Sequence, residues 1–195
     1  MVAKRSGPST VLAVALVLVS AVSVGHASVM IHITESGSDL VVTTSGSADT
    51  TGWGPPGGTV SNSPRVRINT FTNSEFIAFG VGTQDWWDSP GVGSFTFTDN
   101  GLLDVNYAVD SLILTSGGGD VGFSGIGLLL VWLPTGYVSG TPINQVLTIS
   151  GESFASIGVE DGDTATISWA GSNPDSITMA IGSGVPVELQ SFIVE

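Results

Sequence analysis

The feature that most constrains this chain is a pattern that recurs along it. Runs of five or six residues alternate apolar and polar side chains, and each run ends near a cluster of Gly, Ser, Asn or Asp. Successive side chains of a strand point to opposite faces, so such runs build sheets with one buried face. "VMIHIT" puts Val29, Ile31 and Ile33 on one side. "SFTFT" does so with Phe95 and Phe97, "TATISW" with Ala165, Ile167 and Trp169, and "SITMAI" with Ile177, Met179 and Ile181. "DLVVTT" follows the first run across Ser-Gly-Ser, which predicts a hairpin. "GLLLVWL" (127–133) is continuously apolar and reads as a strand covered on both sides. No stretch beyond the N-terminus shows a capped helical stripe. Many short strands with turns between them predict a single-domain all-β fold, an antiparallel β-sandwich for which a jelly-roll-like arrangement is one option. The two longest irregular stretches, 45–64 and 82–93, are expected to be surface loops.

The N-terminus is of a different kind. Lys4 and Arg5 precede the uncharged apolar run "TVLAVALVLVSAVSV" (10–24), and small residues follow at Gly25 and Ala27. That is the layout of a secretory signal peptide, with cleavage expected after Ala27. The run is shorter than the ~20 residues that span a bilayer, so stable membrane insertion after cleavage is not expected. The domain assignment is therefore a signal peptide over 1–27 and a secreted sandwich over 28–195.

Charge narrows the partners. From residue 28 onward, seventeen acids face only Arg65 and Arg67, a net charge of −15. Such a surface repels nucleic acid and anionic lipid, which excludes a nucleic-acid partner. The chain has no cysteine, so disulfides, thiolate metal sites and cysteine catalysis are excluded as well.

Four stretches carry candidate chemistry. "TQDWWDSP" sets Trp86 and Trp87 between Asp85 and Asp88 in an expected loop. Aromatic faces stack on sugar rings and carboxylates accept hydroxyl hydrogen bonds, so this stretch is the candidate carbohydrate site. Its structural alternative is a loop that buries one Trp to pin itself, because adjacent residues of a strand face opposite sides. "VEDGDT" gathers Glu160, Asp161 and Asp163, oxygen ligands of the type Ca²⁺ takes. An Asp-Gly turn is the preferred reading there, and no cofactor is expected. "TDNGLLD", with Asp99, Asn100 and Asp104, also reads as a turn. The Gly-rich stretch 117–127 lacks both a following helix and a Lys, which excludes a phosphate cradle.

Catalysis has little support. His32 is the only histidine after residue 27 and sits in the first strand. There is no Gly-x-Ser-x-Gly elbow, so a Ser-His-Asp hydrolase is not expected. A glycosidase needs only two carboxylates, and sequence spacing does not pair them across a β-fold.

The second half of the chain resembles a known group. "LLVWLPTGYVSGTPI", "ESFASIGVEDGDTATISWAG" and "DSITMAIG" are similar to phrases of the PEP-CTERM-type exported proteins of Gram-negative bacteria. The matching residues are Pro134, Gly136, Tyr137, Ser139 and Gly140; Phe154, Ala155, Ser156 and Gly158; and Trp169, Asp175 and Ser176. The opening "ITESGSDLVVTTSGS" resembles the group's first hairpin. The resemblance covers both ends of the chain well and its middle poorly, and its phrases are structural rather than catalytic. It implies an exopolysaccharide or biofilm setting. The group's tail carries Val-Pro-Glu-Pro, a transmembrane helix and an Arg cluster, whereas this chain has Val185-Pro186-Val187-Glu188 and neither of the other two elements. Residues 187–195 are therefore expected to form a terminal strand with Leu189 buried.

These readings converge on a non-enzymatic secreted protein, extracellular, at the cell surface or in the matrix, with extracellular polysaccharide as the partner to consider. A carbohydrate-binding module built on the Trp pair is the alternative, and a glycan hydrolase a distant third.

Overall fold

A computed structural model describes residues 27–62, 65–69, 75–79, 82–88, 94–102, 106–109, 113–117, 120–124, 130–170 and 175–182. The expected leader, the tail strand with Leu189, and Asp104 lie outside the described residues. The described strands are β1 (Ser28–Ser36), β2 (Asp39–Gly46), β3 (Gly58–Asn62), β4 (Arg65–Asn69), β5 (Glu75–Phe79), β6 (Gly82–Asp88) and β7 (Ser94–Asn100). They continue with β8 (Asn106–Val109), β9 (Ile113–Gly117), β10 (Val121–Ser124), β11 (Leu130–Pro134), β12 (Gln145–Ser150), β13 (Thr164–Ala170) and β14 (Asp175–Ile181). One sheet runs β7-β13-β14-β1-β2-β12-β9, the other β3-β6-β11-β10-β5-β4-β8. The alternation has produced an all-β sandwich, antiparallel except that β1 and β14 pair in parallel.

The alternating runs supply the core. Val29, Ile31 and Ile33 stand in register with Ile177, Met179 and Ile181, and all six are essentially inaccessible. Ala165, Ile167 and Trp169 continue that face on β13, and Leu40 and Val42 on β2. From the second sheet come Val66, Ile68, Ala78, Val121, Phe123, Val131 and Leu133. The β1–β2 hairpin forms as expected and closes at Gly37, whose φ of 67° lies in the left-handed region open to glycine.

Several local expectations need correction. The stretches 45–64 and 82–93 are not simply loops, since they contain β3 and β6. The alternation in β6 is hidden because Gln84 and Asp85 are polar and yet buried. The described part of the 127–133 run is not covered on both sides: within β11, Val131 and Leu133 are buried while Leu130 and Trp132 remain partly exposed. A one-turn helix, α1 (Phe154–Ile157), was not foreseen. It is too short to show a 3.6-residue period, and its capping box uses Ser153 and Ser156 rather than a Glu or Gln.

The connection from β2 to β3 also feeds the core. Trp53 packs edge-on between Trp87 of β6 and Trp169 of β13, with ring centroids 5.6 and 5.7 Å away. Three indoles thus join one sheet to the other across the interior.

Candidate functional site

The expected Trp pair lies in a strand and is split by it. Trp87 points inward and is 6 % exposed, its indole nitrogen donating to the Gly54 carbonyl at 3.2 Å. Trp86 points outward and is partly exposed. The two do not form one platform. The reason is the period of the strand, in which neighbours along the chain face opposite ways.

The outward Trp has a different companion. β6 pairs with β11 in a register that sets Trp86 opposite Trp132, and Val131 opposite Trp87. The inner pair is buried and the outer pair is partly exposed. Directly opposed residues of an antiparallel pair hold their Cβ atoms ~4.5–5.5 Å apart, so both side chains leave the outer face of the second sheet from adjacent positions, the Trp86 ring turning over the β3 side. Glycines flank them. Gly58 stands opposite Trp86 on β3, and Gly122 opposite Trp132 on β10. The six-membered ring of Trp86 lies where a Cβ on Gly57 would have to be, so this indole rests on bare backbone. The Gly57 amide donates to the Trp86 carbonyl at 2.8 Å and fixes that segment under the ring.

The two acids of the stretch divide as the tryptophans do. Asp85 is 6 % exposed and accepts from the Thr59 hydroxyl at 2.5 Å and the Gly136 amide at 2.9 Å. It ties the edge strand β3 and the turn after β11 to β6, and is not available to a ligand. Asp88 is exposed, on the same side of β6 as Trp86 and two residues further on. Of the four residues singled out in this stretch, the outer face keeps Trp86 and Asp88. Trp132 was missed because it stood inside a run read as wholly buried.

The end of this face is built on a buried polar bolt. The Gln84 amide donates to Asp120, which also accepts from Gln145 of β12, in the other sheet, at 3.0 Å. Nearby, a cavity of about 460 Å³ opens between the limbs 134–138 and 141–144, beginning two residues beyond Trp132 at Pro134.

The phrases that carry the family resemblance do structural work. The Tyr137 hydroxyl accepts from the Ala48 amide at 2.8 Å and donates to the Thr141 carbonyl at 2.6 Å. Ser139 accepts from the Thr50 amide at 3.0 Å and donates to Asp49 at 2.7 Å. Asp175 accepts from the Asp49 amide at 2.9 Å. Together they hold the 48–51 segment, and with it Trp53. Hydrogen bonds from Thr51 and Ser139 lower the pKa of Asp49, whereas burial, aided by Asp175 and Asp49, raises that of Tyr137.

The acidic turn is a turn. Gly162 has φ 97°, and Asp163 accepts from the Glu160 amide at 2.7 Å. The carboxylates of Asp161 and Asp163 pack on different glycines, Gly182 and Gly101. Among the described residues, no group of three or more His, Asp or Glu side chains is placed to hold a metal ion. Asp99 and Asn100 end β7, and the Gly-rich stretch leads into β10. His32 donates through Nε2 to the Gly182 carbonyl, a structural contact between β1 and the end of β14.

No family model, curated protein or solved structure matches this chain. Among the described residues no helix is long and apolar enough to cross a membrane.

Proposed function

We propose that this is a non-enzymatic exported protein of the cell surface or extracellular matrix, and that it binds polysaccharide on the outer face of its second sheet. One observation carries the reading: Trp86 and Trp132 occupy directly opposed positions and are partly exposed on that face. Indole faces suit the C–H faces of sugar rings, and a Trp86 ring seated on the Gly57–Gly58 backbone is pre-organised for them. Asp88 sits beside the pair as an acceptor for sugar hydroxyls. The export leader read at 1–27 and the resemblance to exopolysaccharide-associated proteins support the same setting.

The test is affinity electrophoresis and calorimetry of residues 28–195 against a panel of soluble polysaccharides. At least one should bind. Trp86→Ala and Trp132→Ala should each weaken that binding about thirtyfold, the effect of losing a contact worth roughly 2 kcal/mol. Binding that survives both substitutions would place the site elsewhere.

A further inference from the structure

We propose that the glycan taken by this face carries N-acetylated amino sugars, and that the cavity beyond Trp132 receives the acetamido group of one of its units. The inference rests on the reading of Trp86 and Trp132 as a glycan platform.

It starts from position. Partly exposed and buried residues alternate along β11, so Trp132 and Pro134 share its outer face. They are two residues apart, roughly 7 Å along the strand. Pro134 is also where the cavity of about 460 Å³ begins. A glycan that rests on the indoles and runs along β11 brings its next unit to the mouth of that cavity. The volume falls within the range of about 300–1,000 Å³ that small-molecule sites occupy.

The cavity walls are held from within the fold. The Tyr137 hydroxyl donates to the Thr141 carbonyl at 2.6 Å, and the Thr141 amide to the Val138 carbonyl at 2.9 Å. The Gly140 amide donates to the Ala48 carbonyl at 2.9 Å, and the Ile143 amide to the Gly46 carbonyl at 2.7 Å. Buried Asp85 accepts from the Gly136 amide at 2.9 Å. Both limbs are thus fixed before a ligand arrives, which lowers the entropy lost on binding.

The lining sets the chemistry of the occupant. None of the nine residues that form it is charged, although the chain from residue 28 carries a net charge of −15. An ionised group would enter with no counter-charge to offset its desolvation, so the occupant is neutral. Pro134, Val138 and Pro142 give the cavity apolar surface. Val138 is 68 % exposed, the one large apolar side chain left so open among the described residues. Asn144, also exposed, adds a carboxamide to the same lining. A plain hexose offers hydroxyls to such a surface but no methyl group. An acetamido group offers a methyl, an N–H and a carbonyl together. A side-chain carboxamide is both donor and acceptor, so Asn144 matches the N–H and the carbonyl while the methyl lies against Val138 and Pro142.

The experiment is calorimetry of the protein expressed from the full chain, with chitohexaose and cellohexaose as ligands. The two share a backbone, and cellohexaose has a hydroxyl where chitohexaose has the acetamido group. Chitohexaose should bind about tenfold more tightly, the scale of a hydrogen bond gained together with a buried methyl. Asn144→Ala should cancel that margin and leave cellohexaose binding unchanged. Val138→Ser should reduce the margin about threefold. Trp86→Ala should weaken binding of both hexamers. Both cavity positions are exposed, and thermal melts confirm that each variant is folded. Equal binding of the two hexamers, or a margin that survives Asn144→Ala, would overturn the cavity assignment and leave the platform intact. Failure of both hexamers while another glycan binds at the indoles would overturn this inference alone. Failure of every glycan to bind would overturn the platform and this inference together.

Discussion

The two sheets bury their inner faces alike and finish their outer faces differently. Outside the first sheet, Thr98, Thr166 and Thr178 stand in one cross-strand row, with Thr96, Ser168 and Ser176 in the next. The hydroxyls of Thr166 and Thr178 bond to each other at 2.9 Å, and Thr43 donates to the His32 carbonyl at 3.3 Å. β-Branched hydroxyl residues suit a solvated pleated surface and satisfy one another across strands. That face needs no ligand to explain it. Outside the second sheet the corresponding positions on β6 and β11 hold two indoles. Two partly exposed Trp residues leave more apolar area at the surface than the threonines of the first sheet do. The contrast separates what the fold requires from what it carries.

The sharpest way to break that contrast uses the adjacent tryptophans of β6. Trp87→Ala opens a hole in the three-indole contact between the sheets and should cost about 3–5 kcal/mol of unfolding free energy. Trp86→Ala, on the outside of the same strand, should cost less than about 1 kcal/mol. Denaturant titrations of both variants settle the matter, and similar losses would erase the distinction between core and platform.

A second substitution tests the support under the platform without touching an indole. A side chain at Gly57 must displace the ring of Trp86. Gly57→Ala should weaken glycan binding about fivefold, roughly 1 kcal/mol, and raise the accessibility of Trp emission to acrylamide. Unaltered quenching would mean that the indole does not rest on this backbone.

Next comes the linkage of stability to pH at the staple that holds Trp53 in place. The pKa of Tyr137 is raised above its ordinary value of 10.0, chiefly by burial. The fold therefore favours the neutral phenol. The associated stability is present below the unfolded-state pKa near 10 and is lost as pH rises through the higher folded value. Melting temperatures taken from about pH 9 to 11 should fall, and Tyr137→Phe should remove part of that fall. Asp49 behaves in the opposite sense. Its pKa is lowered by Thr51 and Ser139, so its contribution is present above the unfolded value and is lost as pH drops below 3.8. Because the Asp49 carboxylate is only partly buried, Asp49→Asn should change only a small part of the acid limb.

The smallest effect belongs to the threonine face. Thr98→Val, on the edge strand β7, should shift stability by no more than about 0.5 kcal/mol and leave glycan binding unchanged. A marked loss of binding in that variant would assign the glycan to the wrong sheet.

How far the sequence carries follows from which interactions are local. Alternation is a property of five or six consecutive residues, so the chain by itself determined that it folds as strands, which sets Val29, Ile31 and Ile33 share a face, and that Trp86 and Trp87 face opposite ways. It also determined the net charge of residues 28–195 and the scarcity of their cations. Which of the two tryptophans faces out was not legible, because both faces of "GTQDWWD" carry polar residues and Asp85 is buried only by partners at Thr59 and Gly136. Trp132 was hidden for a related reason: "LLLVWL" is apolar on both sides of the strand, and only packing on one side reveals the other. The pairing of Trp86 with Trp132, 46 positions later, was decided by tertiary structure alone. Strand register across a sheet is chosen by the burial of many side chains at once, so no local stretch of the chain records it.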